Sequence, residues 1–205
     1  MSPRHHPSDE ILATYVAGAH EPGFALVVGA HVETCAKCRS RVGAFEASSG
    51  AALDELPQTE LGAEALARTI ARLDARAPKA TSVDARPLLE RLPLNAKRWV
   101  APGVWVAAVD TPHAPDNRVY VLSVGKGMVA ARHEHSGMEY CAVLKGAYRD
   151  ELGTFAAGDF AAAESDLNHQ PVVQGEEACV CLFATEGRLK PKGWVGRLVF
   201  ALADV

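Results

Sequence analysis

The run GKGMVAARHEHSGMEYCAVLKG, residues 125–146, decides how the second half of this chain folds. It holds three possible metal ligands between two glycines, in the order Gly127, His133, His135, Glu139 and Gly146. Side chains along a β-strand alternate between its two faces, so this spacing turns two imidazoles and a carboxylate to one side. Gly137, which lies between them, leaves space for an ion. The run therefore predicts a metal site built on β-strands.

The chain around this run has the pattern of an all-β domain. After residue 95, short apolar runs are separated by glycine and proline: residues 99–109, 118–125, 139–146, 178–185 and 197–205. Many short strands at nearly even spacing predict a sandwich or a small barrel. His169, in ESDLNHQP, is a candidate fourth metal ligand.

The spacing of residues 127–146 resembles the first motif of the cupins, and the resemblance covers roughly residues 97–200. Cupins are small jelly-roll barrels that hold a metal on three histidines and one glutamate. The second motif, GTFAAGDF, keeps its glycine turns but has Ala156 at the usual proline and Ala161 at the usual histidine. His169 comes eight residues after Ala161. This departure weakens the expectation of enzymatic cupin chemistry more than that of a metal site.

Three of the five cysteines lie in this β-rich half. Cys179 and Cys181 alternate on one predicted strand and so share a face, and Cys141 lies on another strand. If they face the barrel interior, they lie near the metal and could be oxidised or enter its ligand shell. Cys179 and Cys181 are therefore candidate redox-sensing residues, whereas filling of the apolar core is the simpler interpretation of Cys141.

The first half of the chain has a helical pattern. Ser8 or Asp9 can cap a first helix through residues 11–19, and Pro22 suits the first turn of a long second helix through residues 24–47. The Gly- and Ser-containing residues 47–58 separate it from a third helix over residues 59–77. Leu66, Ile70 and Leu73 form one apolar stripe on that third helix. The stripe either packs on the neighbouring helices or binds a partner.

The stretch HVETCAKC, residues 31–38, contains three possible zinc ligands. On an α-helix His31, Cys35 and Cys38 fall within an arc of about 60°, so all three would leave one face. Thiolates with imidazole favour zinc, and a closed structural site needs four ligands. His5, His6 and His20 are the candidates for the fourth, and spacing does not choose among them.

Composition limits the class of partner. The net charge is −4, and residues 1–77 carry 7 basic and 10 acidic side chains, so neither DNA nor RNA is an expected partner. Without a secretory signal or a membrane-spanning run, we expect a cytoplasmic protein that binds no membrane. Reduced thiols in that compartment favour metal or redox roles for the cysteines over disulfides.

A zinc module followed by a cupin resembles the ChrR family of zinc-binding anti-sigma factors over nearly the whole chain. RHHPSDEIL, HVETCAKCR and RHEHSGMEYCAVLKGAYRDELGTFAAGDF carry the likeness. The resemblance implies Zn2+ on His6, His31, Cys35 and Cys38. It implies a second divalent metal, expected to be Zn2+, on His133, His135, Glu139 and His169.

The resemblance also implies a division of labour. A helical anti-sigma domain (residues 1–77) would bind an RpoE-like extracytoplasmic-function sigma factor in a 1:1 complex. A linker (78–95) would lead to a cupin domain (96–205) needed for release under oxidative stress, with singlet oxygen or organic peroxide as inducer. No catalytic residue and no small-molecule substrate is expected. The alternative is a metal-dependent cupin dioxygenase or isomerase with a helical accessory domain.

Overall fold

The computed structural model describes residues 2–75, 86–111, 117–130, 132–134, 137–164, 168–186 and 190–191. In chain order the helices are α1 (Asp9–Val16), α2 (Pro22–Thr34), α3 (Ala36–Asp54), α4 (Ala65–Ala75) and α5 (Leu88–Arg91). The strands are β1 (Arg98–Ala101), β2 (Val104–Ala108), β3 (Asn117–Val124), β4 (His133–Glu134), β5 (Glu139–Lys145), β6 (Ala147–Asp150), β7 (Gly153–Ala156), β8 (Phe160–Ala163), β9 (Asn168–His169), β10 (Val172–Gln174), β11 (Cys179–Glu186) and β12 (Lys190–Pro191). The predicted order, helices followed by an all-β domain, is confirmed.

The strands of the described residues form one large antiparallel sheet and two small ones. The large sheet has the order β1-β2-β3-β11-β5-β8, and the small sheets have the orders β10-β6-β7 and β12-β4-β9. The predicted run 99–109 is divided by a turn at Pro102 and Gly103, where Gly103 has φ +77°. The predicted final strand, 197–205, lies outside the described residues. No helix among the described residues is long and apolar enough to cross a membrane.

Helix α1 begins as predicted. Ser8 is its N-cap, and the side chain of Ser8 accepts a hydrogen bond from the Ile11 N–H at 3.2 Å. Asp9 and Glu10 follow in the first turn, where negative charge interacts favourably with the helix dipole. Gly18, at φ +64°, takes the left-handed conformation that ends the helix.

The predicted long second helix is wrong, because the chain breaks at Cys35. Cys35 is extended (φ −103°, ψ 105°), ending α2 and starting α3. On a straight helix His31 and Cys38 would lie about 10 Å apart along the axis, too far for one ion. The break folds α3 back and brings the two side chains together.

The end of the helical region also differs from the prediction. Helix α3 continues through Ser48, Ser49 and Gly50 to Asp54, although we expected this stretch to separate two helices. The predicted third helix is confirmed over Ala65–Ala75. Residues 76–85, around the predicted boundary at residue 77, lie outside the described residues. The predicted linker contains α5 and a bridge between Leu94 and Val109.

Alternation along β5 and β11 sends their side chains into two different cores. Cys141 and Val143 of β5, with Cys179 and Cys181 of β11, face the β10-β6-β7 sheet and form the interior core of the β-domain. Tyr140 and Ala142 of β5, with Val180, Leu182 and Ala184 of β11, face the opposite way.

Helix α2 lies on that opposite face of the large sheet. Phe24, Val27 and Val28 are at most 4% exposed and share one apolar cluster with Tyr140 and Leu182 of the sheet. The Phe24 and Tyr140 rings meet edge to face with centroids 4.7 Å apart. Helices and β-domain therefore share one apolar core.

Candidate metal centres

Four side chains converge at the α2–α3 break. The donor atoms of His6, His31, Cys35 and Cys38 all lie within 4.8 Å of one another. His6 Nδ1 lies 3.4 Å from His31 Nε2 and 3.5 Å from the Sγ atoms of both cysteines, and His31 Nε2 lies 3.3 Å from Cys38 Sγ. Around a tetrahedral zinc ion, bond lengths of about 2.05 Å (N) and 2.3 Å (S) give separations of about 3.3 Å between two nitrogens and 3.6 Å between nitrogen and sulfur. The four donors fit a zinc site.

Each ligand is placed by a different piece of backbone. His6 precedes α1, His31 lies in the last turn of α2, Cys35 is the residue of the break, and Cys38 lies in the first turn of α3. A metal held by all four would tie the start of the chain to two helices. In such a small helical unit, metal binding would contribute directly to folding stability.

The protonation states of these groups suit a cation. Burial lowers the pKa of His6 and of His31, so both rings are neutral near pH 7 and can offer a lone pair. Burial raises the pKa of Cys38 to about 11, so its thiolate forms readily only when a cation is present to balance the charge. A divalent metal supplies that balance.

The second nitrogen of His31 reaches the β-domain. His31 Nδ1 donates a hydrogen bond to the backbone oxygen of Gly158 at 2.7 Å, which leaves the Nε2 lone pair facing the cluster. Gly158 lies in the turn between β7 and β8. A hydrogen bond of this kind from the second ring nitrogen is typical of metal-binding histidines.

The two other candidate histidines have different partners. His5 Nδ1 donates to Asp159 Oδ2 at 3.3 Å, and the His5 ring packs on Phe155 with centroids 4.3 Å apart. His20 Nε2 donates to the backbone oxygen of Ile11 at 2.9 Å. Only His6 joins the cluster, in agreement with the resemblance.

The candidate cupin site is partly assembled by the described residues. Strands β4 and β9 pair with His133 opposite His169, and the two Nε2 atoms are 3.1 Å apart, close to the separation of two nitrogens on one metal. Both histidines are buried. His169 Nδ1 donates to Asp150 Oδ2 at 2.8 Å, which orients its Nε2 towards His133.

Of the other two predicted cupin ligands, Glu139 is described and does not meet the two histidines at one point. Glu139 is buried, and burial raises its pKa to about 8, so a nearby cation would favour its ionised form. Glu139 and the two histidines do not form a group of three donors within 4.8 Å among the described residues. His135 lies outside those residues. The second metal therefore stays a prediction.

Two expectations about this motif are wrong. His133 and Glu139 do not lie on one continuous strand, because they belong to β4 and β5 in different sheets. Gly137 does not open space for an ion. A Cβ atom at Gly137 would lie 2.8 Å from Cβ of Glu186, so glycine permits close packing against β11.

The three cysteines of the β-domain face its interior. All are buried, and Cys179 Sγ lies 3.6 Å from Cys181 Sγ. Hydrogen bonds with Cys141 and Cys179, together with burial, raise the pKa of Cys181 well above its ordinary value. Cys141 also faces this interior, opposite Ala161 on β8.

Asp150, Gly158 and Asp159 were not among the predicted site residues. Asp159 belongs to the GTFAAGDF motif, which indicates only a turn there, and Asp150 stands in the charged sequence RDE. Their contacts with His5, His31 and His169 join residues far apart in sequence, for which spacing offers no signal.

Comparison with known proteins matches both halves of the chain. Residues 93–189 match the ChrR cupin-like domain family. The anti-sigma-E factor ChrR of Cereibacter sphaeroides is 35% identical over 207 residues, which are 97% of each chain. The crystal structure of Rhodobacter sphaeroides SigE in complex with the anti-sigma ChrR matches with a TM-score of 0.78 and 35% identity, over 90% of this chain and 100% of that chain. On this likeness over 97% of its length, the chain belongs to the ChrR family of anti-sigma factors.

Proposed function

We propose that this protein binds and inhibits an extracytoplasmic-function sigma factor in a 1:1 complex in the cytoplasm. The observation that carries the proposal is the likeness to ChrR over both domains, because a solved structure holds ChrR together with SigE. We assign sigma binding to residues 1–77 and release to residues 96–205. A cupin enzyme is not favoured, since the relative that matches the whole chain is an anti-sigma factor.

The apolar stripe of α4 is the proposed contact surface. Leu66, Ile70 and Leu73 are 71%, 49% and 65% exposed, so in the isolated chain they do not pack on neighbouring helices. Leu53 and Leu56, near the end of α3, are also exposed. An amphipathic helix with an uncovered apolar face is suited to binding in a groove of a partner protein.

Zinc on His6, His31, Cys35 and Cys38 has a structural role in this proposal. The ion would hold α1, α2 and α3 in the arrangement that presents the sigma-binding surface. Because all four donors are protein side chains, no position is left for a substrate, as in closed structural sites.

Sensing of oxidative stress is assigned to the β-domain. A second divalent metal on His133, His135, Glu139 and His169 would lie in the same domain as the buried pair Cys179 and Cys181. Since the raised pKa of Cys181 makes its thiolate scarce at neutral pH, we expect these thiols to react only after the domain has opened locally. Singlet oxygen and organic peroxide are the proposed inducers.

Sigma binding is tested by co-expressing the full chain with extracytoplasmic-function sigma factors of its organism and measuring the mass and zinc content of any complex. We expect a 1:1 complex that contains zinc. The double substitution Leu66→Asp, Ile70→Asp should abolish it without lowering the zinc content. Leu152→Asp is the matched control, because Leu152 is 54% exposed on the β-domain. Undiminished binding by the double variant would remove α4 from the contact surface.

Sensing is tested on the purified complex with an organic hydroperoxide. We expect the double variant Cys179→Ser, Cys181→Ser to bind sigma normally but to release it more slowly. Cys141→Ser is the control, since Cys141 is a buried thiol of the same interior core. Equal release rates in the double variant and the unaltered protein would exclude the pair from sensing.

A further inference from the structure

One turn of the β-domain contacts both sides of the zinc cluster. The turn, Gly158–Asp159, connects β7 and β8. Its Gly158 oxygen accepts the hydrogen bond from His31 Nδ1 at 2.7 Å. Asp159 Oδ1 accepts hydrogen bonds from the backbone N–H groups of Arg4 and His5, at 2.6 and 3.0 Å. These two residues immediately precede the ligand His6.

The carboxylate of Asp159 is buried at the centre of these contacts. It is 2% exposed, and its Oδ2 also accepts the Ala156 N–H at 2.8 Å and His5 Nδ1 at 3.3 Å. Next to it, the Phe160 N–H donates a hydrogen bond to the His5 backbone oxygen at 3.1 Å. Residues 4 and 5 therefore both donate hydrogen bonds to the β-domain and accept one from it. Hydrogen bonds from protein N–H groups to a carboxylate are among the stronger ones.

These contacts matter for the cluster because His6 lies outside any helix or strand. The position of His6 relative to the other ligands depends on how residues 3–5 are held, and these residues contact the β7–β8 turn. Pro3 packs there too, since a Cβ on Gly158 would lie 3.0 Å from Pro3 Cγ. The orientation of His31 depends on the same turn.

We propose that the Gly158–Asp159 turn positions His6 and His31 for zinc, so that metal affinity in the helical domain is linked to the conformation of the β-domain. This inference rests on the ligand set of the proposed function. Linkage is reciprocal, so a change that displaces the turn weakens zinc binding, and zinc removal loosens residues 4 and 5 from the turn. The turn would then be a route by which an event in the β-domain reaches the helices that bind sigma.

The first test measures zinc affinity of the full chain by competition with a chromophoric chelator. Asp159→Asn keeps the shape of the side chain but replaces one accepting oxygen with an NH2 donor. We expect affinity at the helical site to fall about tenfold, the lower end of the range for groups that orient metal ligands. Asp110→Asn, a change of an exposed carboxylate in the same domain, should leave affinity unchanged.

Cobalt substitution separates failure of this inference from failure of the ligand set. With Co2+ the Asp159→Asn variant should keep the thiolate-to-cobalt absorption bands of the unaltered chain, because its ligands are the same. If Cys38→Ser leaves those bands unchanged, the ligand set itself is wrong. If the bands depend on Cys38 but Asp159→Asn binds zinc within twofold of the unaltered chain, only the positioning role is overturned.

The second test needs no substitution and therefore does not depend on how a variant folds. Hydrogen exchange of the Arg4, His5 and Phe160 amides is measured in the full chain with zinc and after chelation. We expect their protection to fall at least tenfold on zinc removal, while amides in the centre of β3 change little. Equal protection of the three amides in both states would overturn the linkage.

Discussion

Replacing Phe24 with alanine should destabilise the β-domain as well as the helices. Phe24 lies on α2, yet its ring packs edge to face on Tyr140 of β5 and belongs to a cluster that includes Leu182 of β11. The substitution removes a buried ring from the contact between the two parts of the molecule. Both parts should lose stability together because they share this core.

The size of the effect follows from burial. Phe24 is 4% exposed, and truncating a buried phenylalanine to alanine costs about 3–5 kcal/mol through lost burial and the cavity left behind. About 1 kcal/mol of this belongs to the ring pair with Tyr140. With a urea m-value of about 2–3 kcal/mol/M, the unfolding midpoint should fall by roughly 1–2.5 M.

The distribution of tryptophan makes the assay selective. Trp99 and Trp105 lie in β1 and β2, so their fluorescence reports on the β-domain, whereas circular dichroism at 222 nm reports mainly on the helices. Urea unfolding of the zinc-loaded full chain is followed by both signals. We expect coincident transitions in the unaltered protein and an equal downward shift of both in Phe24→Ala.

Leu66→Ala is the matched control. Leu66 is 71% exposed, so its truncation should change stability by less than about 0.5 kcal/mol. If Phe24→Ala shifts the circular dichroism transition but leaves the fluorescence transition in place, the two domains unfold independently and the shared core contributes nothing to the β-domain.

Four further substitutions test the metal sites and the backbone. Cys38→Ser should lower bound zinc by one equivalent in elemental analysis, because a closed site loses one of four ligands; an unchanged content would place zinc elsewhere. Asp150→Asn should weaken metal binding to the β-domain about 10- to 100-fold in equilibrium dialysis, because the Asp150 carboxylate orients His169. An unaltered binding isotherm would contradict a metal bound by His169. Gly146→Ala should destabilise the protein by more than about 2 kcal/mol, because Gly146 has φ +71° and a Cβ would lie 2.5 Å from the Ala178 oxygen. In contrast, Gly43→Ala in α3, with nothing within 4 Å of the added Cβ, should stabilise the protein by about 0.5–1 kcal/mol in urea unfolding, and a loss of stability would contradict the open space around Gly43.

Local patterns predicted the elements of this molecule well where the backbone decides them. The Ser8 cap, Pro22 in the first turn of α2 and the α4 stripe were all readable, because capping, proline geometry and helical periodicity act within a few residues. The break at Cys35 was not predicted, because the angle between residues around a helix says nothing about their distance along its axis. The three candidate ligands of residues 31–38 would share a face of a straight helix only in projection, and their donor atoms meet because the helix ends at Cys35.

Residue chemistry in the sequence by itself determined the two-part organisation and placed His31, Cys35 and Cys38 together as candidate metal ligands. The family resemblance also chose His6 as the fourth ligand over His5 and His20. Only the tertiary structure decided that α2 packs on the large sheet, that Gly137 serves packing, that Gly158 bonds to His31 and that Asp159 bonds to the residues before His6. The physical reason is that these contacts join residues far apart along the chain. His31 and Gly158 are 127 residues apart, and their hydrogen bond exists only because a buried helix face and a sheet face pack together.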